Sequence, residues 1–125
     1  MYKAKAMDLT MFLLRVVSGL LFLQQGGLKL FGWFGGLPGG ELSTLMLVAG
    51  VIEFVGGVAM VLGVWVRPVA FVLAGQMAVA YFMAHFSTGA FWPIENGGEP
   101  AVLFCFIFLF FAAHGAGKWS LGKNR

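Results

Sequence analysis

Six ionisable side chains lie inside or at the edge of long apolar stretches: Arg15, Lys29, Glu53, His85, Glu99 and His114. A charge at the centre of a membrane span costs roughly 2.5–3.5 kcal/mol to insert, so such a residue is usually functional or paired. Carboxyl and imidazole groups can exchange protons with a bound molecule, and basic side chains donate hydrogen bonds to it. The candidate catalytic residues are therefore Glu53, His85 and Glu99, and the candidate ligand-binding cations are Arg15 and Lys29.

Most of these residues also have a structural interpretation. Glu53, near the middle of the second apolar run, can form an ion pair with Arg15 of the first run. Arg15 can instead extend toward the near membrane surface, and Lys29 can anchor the end of its run. His85 can be a hydrogen-bonded structural residue, and we interpret His114 in that way. For Arg15, Lys29, Glu53 and His85 the sequence leaves both interpretations open.

The rest of the chain is strongly apolar. Of its 125 residues, 60% are hydrophobic and only 10% are charged, and the mean hydropathy is +0.90. Soluble domains carry about 25% charged residues, so this composition indicates an integral membrane protein. It excludes a soluble enzyme, a disordered tail and a nucleic-acid-binding domain. A single cysteine, Cys105, excludes an internal disulfide and a self-contained thiol–disulfide oxidoreductase.

Four apolar runs, at 9–31, 42–64, 68–86 and 100–117, are long enough to cross a bilayer, which takes roughly 17–25 residues. None alternates polar and apolar residues as barrel strands do, so all four are expected to be helices. One side of these spans carries the basic residues Lys3, Lys5, Arg67, Lys118, Lys123 and Arg125, and the other carries the acidic residues Glu41, Glu95 and Glu99.

The positive side of a membrane protein faces the cytoplasm. We therefore predict an all-α membrane protein with a single domain over 1–125. Its fold is an antiparallel bundle of four transmembrane helices in a bacterial inner membrane, with both termini cytoplasmic.

Neither a metal nor a tightly bound redox cofactor is expected. His85 and His114 differ in depth by roughly 15 Å at the rise of a helix, so they cannot easily grip one haem iron. The chain has too few His and Cys ligands for a metal site. It also lacks the glycine fingerprint of a nucleotide-binding domain, so no flavin is expected.

Short motifs occur in order through all four runs. They are Leu14-Arg15, Gly19, Phe22, Gly26 and Lys29-Leu30; Glu53-Phe54-Val55-Gly56-Gly57 and Leu62-Gly63; Arg67, Ala80 and His85; Asn96-Gly97-Gly98-Glu99 and Ala101; and Gly115-Ala116-Gly117-Lys118-Trp119-Ser120-Leu121. Together they resemble the DoxX family of small four-span bacterial membrane proteins. The chain departs from the family pattern at Gly122, where an acid is usual.

The resemblance implies a compact four-helix bundle and a link to oxidoreduction. The family name comes from a subunit associated with thiosulfate:quinone oxidoreductase, and relatives are linked to quinone, thiol and oxidative-stress chemistry. The family's site residues map onto Arg15, Lys29, Glu53, His85 and Glu99. Any redox reaction would then need a bound quinone, a partner subunit or both.

We therefore predict a membrane subunit that binds a quinone-like molecule and supports quinone-linked oxidoreduction. Phe22, Tyr81 and Phe106 are the predicted walls of the site. Lys29 or His85 is the predicted donor to the ligand, and Glu53 and Glu99 are the predicted proton relay.

Two other functions stay open. The chain can be a non-catalytic subunit that anchors a larger membrane complex, since its small-residue seams suit helix association. A small-solute transporter is the third candidate. The predicted partners are the lipid bilayer, a quinone, and either further copies of this chain or the subunits of a larger complex.

Overall fold

The computed structural model describes residues 2–36, 43–85 and 92–122; for Tyr2, Ala84 and His85 it describes the backbone alone. Within these ranges the chain forms helices and no strands. The helices are α1 (Tyr2–Phe31), α2 (Thr44–Leu62), α3 (Val66–Ala80), the short α4 (Pro93–Asn96) and α5 (Glu99–His114). A 3-10 turn (Trp33–Gly35) follows α1, and one π-helical turn (Tyr81–His85) continues α3.

Three of the described helices are long and apolar enough to cross a membrane. They are Lys3–Phe31, Thr44–Leu62 and Val66–Met83, the last combining α3 with part of its π turn. The helix α5 has 16 residues, or about 24 Å at 1.5 Å per residue. The predicted run 100–117 extends too far because Gly115, with φ of 91°, ends the helix after His114. The first helix begins at Tyr2, seven residues before the predicted run.

Local chemistry sets both ends of α2. The Ser43 hydroxyl accepts a hydrogen bond from the Met46 N–H at 3.2 Å, which caps the first turn. At the other end Gly63 has a φ of 77°, a conformation that favours glycine. The break between the second and third predicted runs, at 65–67, therefore lies slightly earlier in the structure, and Arg67 belongs to the first turn of α3.

Glycines bring α1 and α2 into backbone contact. Gly26 faces the backbone of Phe54, where an added Cβ would lie 2.5 Å from the amide nitrogen. Gly57 faces Leu23 in the same way, and Gly50 lies against Leu30. Residue numbers rise along one helix as they fall along the other, so α1 and α2 run in opposite directions. Such small-residue seams are the usual means of close helix packing in membranes.

Aromatic side chains connect α1 to α5. The Phe22 ring meets Phe104 and Phe108 edge-on, with centroids 5.1 and 4.7 Å away. Phe108, Phe111, Met60 and Leu73 are fully buried with them in the core. The opposite faces carry exposed large apolar residues, as expected of helices in contact with lipid: examples are Leu9, Val17, Val55, Phe71, Val79 and Leu103.

The beginning and the end of the described chain meet at one end of the helices. Trp119 packs edge-on against Phe12 with ring centroids 5.5 Å apart. The Leu121 N–H donates a hydrogen bond to the Leu62 carbonyl at 3.0 Å. We call this end the terminal end. The opposite end, where α1 finishes and α2 begins, is the loop end.

The α1–α2 seam gives a test of the fold with an internal control. Gly26→Ala forces Cβ into the backbone of α2 and should lower the free energy of unfolding by about 1–3 kcal/mol, the usual effect of overpacking. Gly75→Ala should not lower it, because a Cβ at Gly75 meets nothing within 4 Å. Thermal unfolding of the purified proteins in one detergent measures both. Equal melting temperatures for the two variants would contradict the close α1–α2 contact.

Candidate functional site

Glu53 is the centre of a polar cluster that joins three helices. Its Oε1 forms an ion pair with Lys29 Nζ at 2.7 Å, and its Oε2 accepts a hydrogen bond from Gln76 Nε2 at 2.6 Å. The Lys29 and Glu53 side chains are only 13% and 5% exposed. Both carboxylate oxygens thus have a strong donor, which offsets the cost of burying the charge. We call Lys29, Glu53 and Gln76 the Glu53 triad.

The sequence around each member explains its position. Glu53 is the tenth of the nineteen residues of α2 and lies on the same buried face as Gly50, Gly56 and Gly57. Because these glycines carry no side chain, α1 approaches closely enough for Lys29, in its last turn, to reach the carboxylate. The Gln76 amide orientation follows from the carboxylate, which can only accept hydrogen bonds. Gln76 Oε1 is buried and has no hydrogen-bond partner among the described residues.

The triad lines a cavity of about 390 Å³, which we call the Glu53 cavity. All four long helices contribute to it. Its polar lining consists of Gln24, Gln25, Lys29, Glu53 and Gln76, and its apolar lining includes Phe22, Met46, Ala49, Met77, Ala101 and Phe104. Ligand pockets typically have volumes of 300–1,000 Å³ and combine apolar walls with a few convergent polar groups. The Glu53 cavity has both properties.

Of the predicted site residues, Phe22, Lys29 and Glu53 line this cavity and Phe106 does not. Phe106 is 63% exposed on the outer face of α5, so it is not a wall of this cavity. Phe104 lines the cavity in its place. Two residues along a helix correspond to a rotation of about 200°, so the two rings point to opposite sides of α5.

Tyr81 and Glu99 also lie outside the cavity lining. Tyr81 is buried, and its hydroxyl accepts a hydrogen bond from Asn96 Nδ2 at 3.1 Å. Tyr81 thus holds α4 against the π turn and is not a wall of the cavity. Glu99 is exposed in the first turn of α5. His85 closes the π turn, and its side chain lies outside the described residues.

Arg15 is fully buried at the terminal end, away from the cavity. Its Nε, Nη1 and Nη2 atoms each donate a hydrogen bond of 2.9 Å, and the acceptors are the carbonyl oxygens of Met60, Ala116 and Trp119 respectively. The alternative ion pair between Arg15 and Glu53 is therefore not formed. Arg15 instead joins α1 to α2 and to the chain that follows α5.

Helix geometry explains why carbonyl groups can bind this cation. Met60 is among the last four residues of α2, whose carbonyls lack partners within the helix and carry the negative end of its dipole. The chain beyond Gly115 is non-helical, which frees its own carbonyls. Its Gly122 N–H donates to the Gly63 carbonyl at 3.1 Å, beside the Arg15 bonds.

Gln76 and Phe104 were not predicted. Gln76 carries no charge, so a search restricted to ionisable residues passes over it. An amide in the middle of an apolar run is nevertheless a usable signal, because it too needs a partner in lipid. Among the described residues, no three His, Cys, Asp or Glu side chains lie close enough together to hold a metal ion.

Comparison with family models shows which protein family the chain belongs to. The DoxX model matches residues 10–86, which include Phe22, Lys29, Glu53 and Gln76. The chain belongs to the DoxX family. A Haemophilus influenzae protein named "Uncharacterized protein" is 40% identical to this DoxX chain over 116 residues, which cover 89% of this chain and 87% of that protein. No solved structure matches the chain significantly. The DoxX match contains the whole triad and ends before α5, which supplies Phe104.

The ion pair can be tested with a double-mutant cycle. Lys29→Met leaves the Glu53 carboxylate buried without its cation, and breaking a buried pair costs about 3–5 kcal/mol. The double variant Lys29→Met with Glu53→Gln removes both charges and should be clearly more stable than Lys29→Met alone. Chemical unfolding of the four proteins gives the coupling free energy. Strictly additive effects would contradict the pairing.

The hydrogen bonds of Arg15 predict that this side chain fixes the segment after α5. Arg15→Met removes the donors to the carbonyls of residues 116 and 119, so the segment after α5 should become accessible to carboxypeptidase. Lys118→Met is the matched control: its ion pair with Asp8 spans 3.4 Å and its side chain is 71% exposed, and such surface pairs contribute little. Equal digestion rates for Arg15→Met and the unmodified protein would refute the role of Arg15.

Proposed function

We propose that this DoxX protein binds a quinone-like molecule in the Glu53 cavity and supports quinone-linked oxidoreduction. The observation that carries the proposal is the Glu53 triad, a buried set of polar groups between aromatic walls in an otherwise apolar protein. Buried charges within membrane spans usually mark sites of ligand or proton handling. The cavity also has the combination of features that suits a flat ring with polar oxygens.

Different lining residues can contact the faces and the oxygen atoms of such a ring. Phe22 and Phe104 face the cavity and can pack against the faces of the ring. The Lys29 ammonium has three N–H donors, and Glu53 accepts one of them. A quinone oxygen can accept another. Binding therefore does not require the ion pair to break.

Proton exchange is the second task. Conversion of a quinone to its hydroquinone takes up two electrons and two protons. The Lys29–Glu53 pair lies in the cavity wall and can pass a proton to a ligand oxygen. Glu99, exposed at the start of α5 next to the lining residue Pro100, is the proposed group that exchanges protons with the surroundings. His85 remains a proposed catalytic residue. The electrons come from a partner subunit, so the chain acts within a larger complex.

The proposed topology is an antiparallel four-helix bundle with α5 as the fourth span and both termini cytoplasmic in a bacterial inner membrane. The terminal end carries the described basic residues Lys3, Lys5, Arg67 and Lys118, with Asp8 beside them. Glu95 and Glu99 lie in or next to α4 at the other end of α5. This asymmetry supports a cytoplasmic terminal end. The loop end then faces the opposite side of the membrane.

The function can be tested by filling the cavity. Ala49 lines it, so Ala49→Phe should remove quinone that copurifies with the protein. Ala113→Phe places the same ring on an exposed face of α5 and should leave the quinone in place. Glu53→Gln keeps the volume but removes the charge, and should lower the quinone content. Mass spectrometry of extracts from nanodisc preparations gives the amount per protein.

Two results would contradict the proposal. If the unmodified protein carries lipid alone and takes up no added quinone, the chain fits the non-catalytic interaction subunit better. Quinone retained equally by Ala49→Phe and Ala113→Phe would show that any quinone present binds elsewhere. Folding of each variant is checked beforehand by size-exclusion chromatography, so that loss of quinone is not confused with loss of structure.

A further inference from the structure

A second cavity lies between α2 and α3, which are two of the four helices that line the first. This groove has a volume of about 350 Å³, and its lining is apolar: on α2 it includes Ile52, Val55 and Gly56, and on the α3 side it includes Trp65, Val69 and Val72. Gly56 lies directly against the Leu73 side chain, which also lines the groove. Val55, at 62% exposed, and Val72, at 52%, lie at the rim. We call this cavity the α2–α3 groove.

The groove and the Glu53 cavity lie along one seam. On α2 the cavity-lining Ala49 is seven residues from the groove-lining Gly56, so the two residues share one side of the helix. On α3 the groove-lining Val72 is likewise seven residues from the cavity-lining Val79. The Glu53–Gln76 hydrogen bond joins the two helices between these levels.

Between the levels of the two cavities, α3 carries no side chain at one exposed position. Gly75 lies between Val72 and Val79 on α3, is exposed, and has no atoms within 4 Å of the position its Cβ would take. On this side the groove lining runs from Leu73 to Trp65, and Trp65 is eleven residues from Gln76, or roughly 16 Å along the helix. A molecule whose polar ring lies beside the triad can therefore extend a tail over roughly 16 Å of apolar residues between α2 and α3.

We infer that the α2–α3 groove holds the apolar tail of the molecule whose ring binds in the Glu53 cavity. This inference rests on the proposed function and narrows it: the ligand is a long-tailed, isoprenoid-type quinone and not a short, water-soluble one. The apolar lining supports this occupant, since it offers a polar headgroup nothing to bind. The groove also begins within one helical turn of the triad, so head and tail sites can be filled by one molecule.

The test compares two quinones with the same benzoquinone ring, one with a methyl group and one with a decyl tail. Val72→Trp fills the groove and leaves the residues of the Glu53 cavity intact. In nanodiscs of fixed lipid composition it should weaken binding of the decyl quinone by at least about tenfold, the effect of losing roughly two buried methylene groups. Binding of the methyl quinone should not change. The matched control is Leu103→Trp, at an exposed apolar position of α5 outside both cavities.

The outcomes separate the two proposals. If neither quinone binds the unmodified protein, the proposed function fails and the tail site fails with it. If both bind but Val72→Trp and Leu103→Trp change decyl binding equally, only the tail site is overturned, and the groove holds a phospholipid chain or a second copy of the chain. Val55→Trp, on the opposite wall, repeats the test in case Val72→Trp does not fold. Comparing variants at one ligand cancels the different partitioning of the two quinones into lipid.

Discussion

The burial of Glu53 is the constraint on which the middle of this molecule depends. A carboxylate in an apolar bundle must have partners, and its partners come from two other helices. Lys29 fixes the rotation of α1 relative to α2, and Gln76 does the same for α3. The glycines of the α1–α2 seam serve the same purpose, since a larger side chain at Gly26 would keep the ammonium away from the carboxylate. Packing and electrostatics therefore require the same arrangement of helices.

Arg15, at the terminal end, is also a buried charge that needs partners, but its partners are of a different kind. Its guanidinium is bound by main-chain carbonyl groups and by no carboxylate among the described residues. This solution engages all three nitrogen atoms of the planar group. The triad differs, because Lys29 keeps two N–H donors that no described residue accepts. The two buried cations thus have different tasks: Arg15 holds the chain together, and Lys29 lines the cavity.

The sequence predicts the apolar runs and the buried face of Glu53, because both follow from local periodicity or composition. It does not predict which cation pairs with Glu53, because that depends on the register between α1 and α2. Gly26 opposes Phe54, and Arg15 lies eleven residues from Gly26, or roughly 16 Å along α1, which is too far for its side chain to meet Glu53. The position of Phe106 outside the cavity has another cause. The helix α5 is apolar on all sides, so no polar face indicates which phenylalanines point inward.

The two seams of α2 differ in a way that bears on how a ligand reaches the site. Towards α1, glycines bring the two backbones together and leave no space. Towards α3, the only side-chain hydrogen bond among the described residues is the one from Gln76 to Glu53, with a cavity on one side of it and a groove on the other. A lipophilic molecule in the bilayer can enter along this second seam without crossing water. In the proposed function the hydrogen bond between Gln76 and Glu53 then keeps the ring of the ligand in the Glu53 cavity, beside the triad.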